Sequence, residues 1–368
     1  MRIWSHSKEY EVRLEDTMDF LDDLFRIPNT EYVLDRKVYT LYRERFAGVP
    51  EERLILIDAE ESGKEIGTAL EICGRMTGIP AKRNAHLVSV GGGIIQDITG
   101  FAASILYRGI PWTFVPTTLL ACCDSCIGGK TSLNYQSYKN LLGTFYAPDM
   151  VYVCPAFFHT LTQRDFESGL GEVVKFNIMR GQEGLESIEK NLDSLLNRRE
   201  DTLREAVESS LLFKKRFIEA DEYDRGERIK LNFAHTFGHA VETVTDYAIP
   251  HGTAVAIGMI MANRISVKRG ILNSETERHA EAVLRQVIHP NVNLADYPFD
   301  RFLEAVRKDK KQTGDQLTAV LMTDTAGDLR IVHNVLPEEI RDAFLFFCDG
   351  QTQISGQNRE EPGRVEEK

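Results

Sequence analysis

Between Tyr32 and Val115 the chain alternates short apolar runs with longer amphipathic ones, and this alternation restricts the fold more than any other feature. Tyr32–Leu34, Leu54–Ile57, His86–Val90 and Trp112–Val115 have the length and continuous apolar character of buried strands. A helical stretch follows Asp35, and a second helix is expected over Lys64–Met76. A third runs from Gly91-Gly92-Gly93 to about Leu106. Strands separated by helices predict a parallel sheet with helices on its faces. After about Pro155 long amphipathic patterns take over: Gln163–Met179, Leu185–Leu196, Thr202–Ala220, Asn232–Thr245, Thr253–Arg269 and Glu275–Val287. One strand-like run, Leu317–Met322, and a helix at Pro337–Phe347 complete the pattern. The expected organisation is an α/β nucleotide-binding domain over residues 1–154 and a mainly α-helical domain over 155–350. A disordered tail is expected over 351–368, which has almost no apolar content.

The formal charge of -12 argues against a nucleic-acid partner, so any anionic ligand must be met by a local basic pocket. The longest apolar stretches, such as Ala254–Ala262, are too short to span a bilayer. Met1–Asp16 is charged and lacks the apolar core of a signal peptide. Three of the six cysteines sit in Cys122-Cys123-Asp124-Ser125-Cys126, with neither a disulfide framework nor paired CxxC spacing. A reduced, cytoplasmic compartment and no membrane partner are the expectation.

Gly91-Gly92-Gly93 stands where a strand feeds a helix. Glycine lets backbone approach a pyrophosphate, and the helix N-terminus offers amide donors to it. A tight strand-to-helix turn would explain the same glycines. Asp35, just after an earlier strand, suits a ribose hydroxyl or an ordinary surface. His235 and His239 lie four apart, hence on one helix face, and His251 opens the next helix after Pro250. Glu172 stands mid-helix among apolar residues, where a carboxylate is costly unless paired or coordinated. Two histidines and one carboxylate with an open fourth position would make a catalytic zinc site. Core histidines with satisfied nitrogens account for the pattern equally well.

The order of motifs goes further. Val90-Gly91-Gly92-Gly93 with Asp97, Tyr107-Arg108-Gly109, Pro116-Thr117-Thr118-Leu119-Leu120-Ala121, Asp124-Ser125-Cys126-Ile127-Gly128-Gly129-Lys130-Thr131 and Lys139-Asn140 come first. Glu172-Val173-Val174-Lys175, Leu231-Asn232-Phe233-Ala234-His235-Thr236-Phe237-Gly238-His239, His251-Gly252 and Asp309-Lys310-Lys311 follow. This series, from about Asp35 to the last strand, resembles the 3-dehydroquinate synthase family. The resemblance implies an N-terminal NAD domain and a helical metal domain. It implies zinc or cobalt on Glu172, His235 and His251, and so moves His239 from the metal to the substrate pocket. By the same resemblance Lys130, Asn140, Asn232, His239 and Lys310 surround a phosphate, with Arg108 supplied by the neighbour in a homodimer. Lys214 and Arg228 hold a substrate carboxylate, and Asp124, Lys139 and Lys175 meet the sugar hydroxyls. NAD falls to Asp35, Glu61, Lys64, Gly92, Gly93, Asp97, Thr117 and Thr118. Three positions depart from the pattern: Gln96 and Ala234 where glycine is usual, and Gly171 where alanine is common.

The implied chemistry is a redox-neutral cyclisation of the shikimate pathway. A metal-bound hydroxyl is oxidised by NAD⁺, phosphate is eliminated, the hydride is returned, and an aldol closes the carbocycle. Lys175, His239, Asp124 and Lys139 are the expected catalytic groups. The competing readings are a cyclase for sedoheptulose 7-phosphate or glucose 6-phosphate, and a metal-dependent polyol dehydrogenase.

Overall fold

The structure, a computed structural model, describes residues 1–79, 83–136, 138–289, 291–308, 316–325 and 328–357, with side chains to residue 350. The chain divides into two compact units, Met1–Gly169 with Ser194–Arg228, and Leu170–Asp193 with the chain from Ile229 on.

The first unit is built on a seven-stranded sheet of β1 (Arg2–Ile3), β2 (Tyr10–Leu14), β3 (Thr30–Asp35), β4 (Leu54–Ile57), β5 (His86–Gly91), β6 (Trp112–Pro116) and, after a separate hairpin of β7 (Lys130–Tyr135) and β8 (Tyr138–Phe145), β9 (Met150–Val153). The order is β1-β2-β9-β6-β5-β3-β4, and every pairing is parallel except β1 with β2. Val33, Leu34, Val88, Val90, Phe114 and Val115 are fully buried, which is why these strands read as unbroken apolar runs and not as alternation. The helices α1 (Phe20–Leu24), α2 (Arg36–Leu41), α3 (Ile66–Thr77) and α4 (Gly93–Ile105) come between strands. Strand succession reverses at β3 and β5, and at such a switch point the carboxyl ends of the strands open a crevice. Asp35 and Gly91 end those two strands.

After α5 (Gln163–Ile178) and α6 (Gln182–Leu196), α7 (Glu200–Ala220) belongs to the first unit, contrary to a simple break near residue 155. The physical reason is packing against the π-helical turn Ala121–Ser125, where Lys214 of α7 donates to both the carbonyl and the carboxylate of Asp124.

The second unit contains α8 (His235–Val244), α9 (His251–Lys268), α10 (Ser274–Val287), α11 (Phe299–Lys308), an antiparallel hairpin of β10 (Leu317–Met322) and β11 (Leu329–Val335), and α12 (Pro337–Gln357). Helix α9 is buried without a break from Gly252 to Asn263 and packs against α8, α10, α12 and β10. Such a helix must be apolar all round, as Ala254–Ala262 is. Two glycines set how closely its neighbours approach. A Cβ on Gly258 would lie 2.3 Å from the Ala234 carbonyl oxygen, and one on Gly171 would lie 2.1 Å from that of Gly252.

Helix α12 outruns the expected Phe347 and extends to Gln357, so the first seven residues of the expected tail are helical. Its earlier turns are anchored by buried Ile340, Phe344 and Phe347, and a nucleated helix propagates at little cost. Residues 358–368 lie outside the described residues. No described helix is long and apolar enough to cross a membrane.

Candidate functional site

Glu172 is the centre of a charged cluster in the second unit. It is 0% exposed, one helical turn before Lys175 on α5. The Lys175 ammonium lies 2.5 Å from Glu172 Oε2 and also donates to the Leu231 carbonyl at 3.1 Å. The other oxygen, Oε1, faces two imidazoles: His235 Nε2 at 3.4 Å and His251 Nε2 at 3.3 Å. Each imidazole is turned by its far nitrogen. His235 Nδ1 lies 3.0 Å from the Phe233 carbonyl, and His251 Nδ1 lies 3.3 Å from Glu242 Oε1. Both Nε2 atoms are thereby presented to the carboxylate, an arrangement that fixes the tautomer of a ligating histidine.

These three ligand atoms lie within 4.8 Å of one another, and one carboxylate with two imidazoles suits a divalent ion with an open position. The electrostatics agree with that fit. Burial pushes His251 down, but Glu172 and Glu242 outweigh it and draw its imidazolium up to about 10. Besides the Lys175 ammonium, the two carboxylates here draw further positive charge, which a divalent ion could supply in place of protons.

Gly171 lets α5 approach the start of α9, where His251 and Gly252 lie, more closely here than a side chain with a Cβ would allow. His235 begins α8 immediately after Ala234, whose φ of 70° is left-handed. That conformation suits the glycine usual at this position and strains alanine. Glu242, seven residues after His235, was missed by the sequence reading. Its signal was faint: a His-x-x-Glu spacing that places it on the face of His239. His239, Glu242 and His251 form a second set of convergent ligand atoms. Asn232, in the turn before α8, donates to the Ile229 carbonyl at 3.0 Å.

In the first unit a cavity of about 720 Å³ opens at the sheet's switch point. Asp35, Gly92, Gly93 and Thr118 line it together with Asp58 and Glu60. Gly92 caps α4, and a Cβ there would meet Thr118 Cγ2 at 3.0 Å. Asp35 also caps α2 by accepting from Lys37 N at 2.9 Å, and burial raises its carboxyl above the ordinary range. Thr117 is buried next to Thr118, and its N–H donates to the Gly91 carbonyl. Gln96 is tied to Ser125 through both its amide nitrogen and its oxygen, so its side chain replaces the space of a glycine with a bridge to the turn at 121–125.

Lys64, Asp97 and Asn140 meet in one network. Lys64 Nζ lies 2.5 Å from Asp97 and 2.6 Å from Asn140 Oδ1, and Ser132 bonds both Asp97 and Asn140. The structure thus joins two residues expected for cofactor with one expected for phosphate. Glu61 accepts from Asn134 at 2.8 Å, and Lys139 is exposed on β8. Arg108 is exposed on a turn where Tyr107, Arg108 and Gly109 all have positive φ. Lys310 lies outside the described residues.

Three further cations gather near the turn at 124–130. Lys214, 6% exposed, pairs with Asp124 at 2.6 Å, and Lys130 pairs with Asp224. Burial, and then the Arg228 and Lys214 charges, pull the Lys130 ammonium below its ordinary range. Arg228 is 3% exposed, yet its guanidinium donates only to backbone, to the Glu222 carbonyl at 2.5 Å and the Gly128 carbonyl at 3.0 Å. Among the described residues it forms no ion pair. Gly128 has φ 101°, and a Cβ on it would lie 2.2 Å from Arg228 Nη2, so glycine is needed twice over. The thiols of Cys122, Cys123 and Cys126 are buried and donate to carbonyls. Burial pushes Cys126 up to about 12, which leaves it inert.

The family described as 3-dehydroquinate synthase N-terminal matches residues 54–168, and its C-terminal counterpart matches 169–312. A 3-dehydroquinate synthase from Dictyoglomus turgidum is 37% identical over 301 residues, 82% of this chain and 84% of that protein. Among solved structures, 2-epi-5-epi-valiolone synthase from Streptomyces hygroscopicus, with NAD⁺ and Zn²⁺ bound, is 27% identical at a TM-score of 0.77. That match covers 93% of this chain and 97% of the other. A 2-deoxy-scyllo-inosose synthase, 23% identical over 94% and 99% of the two chains, shares the fold at a TM-score of 0.80.

Proposed function

The chain belongs to the 3-dehydroquinate synthase family, and from that premise we propose that it closes a carbocycle from a sugar phosphate bearing a carboxylate. The substrate is 3-deoxy-D-arabino-heptulosonate 7-phosphate or its amino analogue; the products are 3-dehydroquinate, or its amino analogue, and inorganic phosphate. One observation carries the choice of a carboxylate: the buried Arg228 guanidinium donates to two neutral carbonyls and forms no ion pair among the described residues, the Asp224 and Asp124 charges acting on it only from a distance. A buried charge without its partner costs several kcal/mol, roughly, and a bound carboxylate relieves that cost with the fork geometry that guanidinium favours.

Glu172, His235 and His251 hold a divalent ion, zinc or cobalt, and the cavity at Asp35, Gly92, Gly93 and Thr118 holds NAD⁺. When bound, the ion lends Lewis acidity to a substrate hydroxyl and NAD⁺ provides a reversible store for hydride. The chain's own residues do the rest. Lys175 keeps Glu172 Oε2 occupied, so that Oε1 stays turned to the histidines. Its place behind Glu172, 1% exposed, supports a positioning role better than contact with a sugar hydroxyl. Glu242 holds His251 in the orientation that presents Nε2. His239 stands beside them, its ring 5.3 Å from that of His235, and is suited to accept or return a proton. Lys130, Asn140, Asn232, Lys310 and the neighbour's Arg108 bind phosphate in this reading; Asp124 and Lys139 orient hydroxyls.

The test is phosphate release from a panel of sugar phosphates with trace NAD⁺ and zinc. The carboxylate substrate should turn over many times per NAD⁺ with no net NADH. A preference for sedoheptulose 7-phosphate would instead favour the reading as a cyclase for another sugar phosphate. Stoichiometric NADH would indicate a dehydrogenase.

A further inference from the structure

The two carbonyls that hold Arg228 are themselves anchored by one short segment near the N-terminus. Glu222, whose carbonyl receives Arg228 Nη1, has a carboxylate that is 6% exposed and bound by residues 5–7. Ser5 and Ser7 hydroxyls donate to its Oε1 at 2.8 and 2.7 Å, and the His6 N–H donates to Oε2 at 2.6 Å. Trp4 N adds a tether to Glu219, in the last turn of α7, at 2.9 Å. Gly128, whose carbonyl receives Arg228 Nη2, gives its N–H to the buried Tyr10 hydroxyl at 2.9 Å.

We infer that Ser5–Tyr10 is a positioning element for Arg228, setting the angle at which its guanidinium meets the substrate's carboxylate by fixing the carbonyls of Glu222 and Gly128. The inference rests on the carboxylate reading of Arg228 given above. Stapling a chain end does not by itself require a buried carboxylate, since apolar contact does it without the desolvation penalty. Here one carboxylate takes three donors from three consecutive residues, and the same arm supplies a fourth polar anchor at Gly128, the residue of the second carbonyl that Arg228 uses. A guanidinium steered through carbonyls, and not through a carboxylate, keeps its charge available to a ligand. The arm lies upstream of residue 54, where the family match begins.

The experiment uses the full-length protein loaded with zinc and NAD⁺, and the carboxylate-bearing sugar phosphate as substrate. Ser5→Ala with Ser7→Ala should raise KM about 10-fold while kcat changes by less than about two-fold. Competitive inhibition by inorganic phosphate, which binds the other end of the site, should not move. Ser5→Thr with Ser7→Thr keeps both hydroxyls and should restore KM. In an Arg228→Leu background the double alanine variant should cause no further loss, because the residue it positions is gone. Tyr10→Phe, which deletes one oxygen, should show the same pattern and carries the test if the double variant melts near assay temperature. Additive losses, a fall in kcat at constant KM, or a parallel weakening of phosphate would each overturn the inference. If Arg228→Leu alone leaves kcat/KM unchanged, the carboxylate reading fails and this inference with it. If Arg228→Leu is damaging while both arm variants are silent, only the inference fails.

Discussion

Glu172 in the second unit and Arg228 in the first are both cut off from solvent, yet their surroundings are opposite in kind. Glu172 has an ammonium on one oxygen and two imidazoles on the other, all from its own unit. The Arg228 guanidinium donates only to backbone carbonyls. The first region neutralises itself with groups that can give up protons, a setting that would suit a cation replacing them. The second holds a guanidinium with no ion pair among the described residues, although the Asp224, Asp124 and Asp221 charges act on it, and so it is suited to take an anion. In the proposed function the difference matches two ligands of opposite charge: a metal ion for the first region, a carboxylate for the second.

Removing the metal end should have the largest effect. Glu172→Ala, His235→Ala or His251→Ala should each abolish tight binding of one divalent ion and lower kcat by at least ~10³-fold. A chelator should inactivate the native enzyme, and zinc or cobalt should restore it. Full activity with less than a tenth of an equivalent of metal, measured by elemental analysis, would dissolve the contrast between the regions.

Removing the anion end should cost less and be selective. Arg228→Leu should lose about 10²-fold in kcat/KM toward the carboxylate substrate, about 2.7 kcal/mol, while metal content stays at one equivalent. An equal loss toward a neutral-ended sugar phosphate would mean that Arg228 supports the fold and not the ligand.

The closeness of α5 to α9 sharpens the metal side. Gly171→Ala would place a methyl group 2.1 Å from the Gly252 carbonyl oxygen, so the helices must part. A loss of about 1–3 kcal/mol in unfolding free energy is expected, with weaker metal binding. The smallest effect should be a gain. Ala234→Gly relieves a left-handed alanine at φ 70°, worth about 0.5–1 kcal/mol net of the extra chain entropy of glycine. A lower melting temperature for that variant would show that the left-handed turn before His235 is not strained.

The sequence by itself determined the alternation of buried strands and helices, because unbroken apolar runs of strand length survive only inside a covered parallel sheet. It also drew attention to Glu172, since an isolated mid-helix glutamate among apolar residues demands compensation, whereas the grouping with His235 and His251 in particular came only from the resemblance to the family. Strands β1, β2, β7, β8, β9 and β11 escaped it: most are short or of mixed pattern, and β2 and β9 acquire meaning only from each other, far apart in the chain. Membership of α7 in the first unit was likewise invisible, for it depends on Lys214 reaching Asp124 across 90 residues. The hold of Glu242 on His251 left only the faint His-x-x-Glu spacing in the sequence, and that of Ser5–Tyr10 on Arg228 was decided by tertiary structure alone. A hydrogen bond between residues far apart in sequence leaves no periodicity, spacing or composition to read, and only the packed chain brings its two ends together.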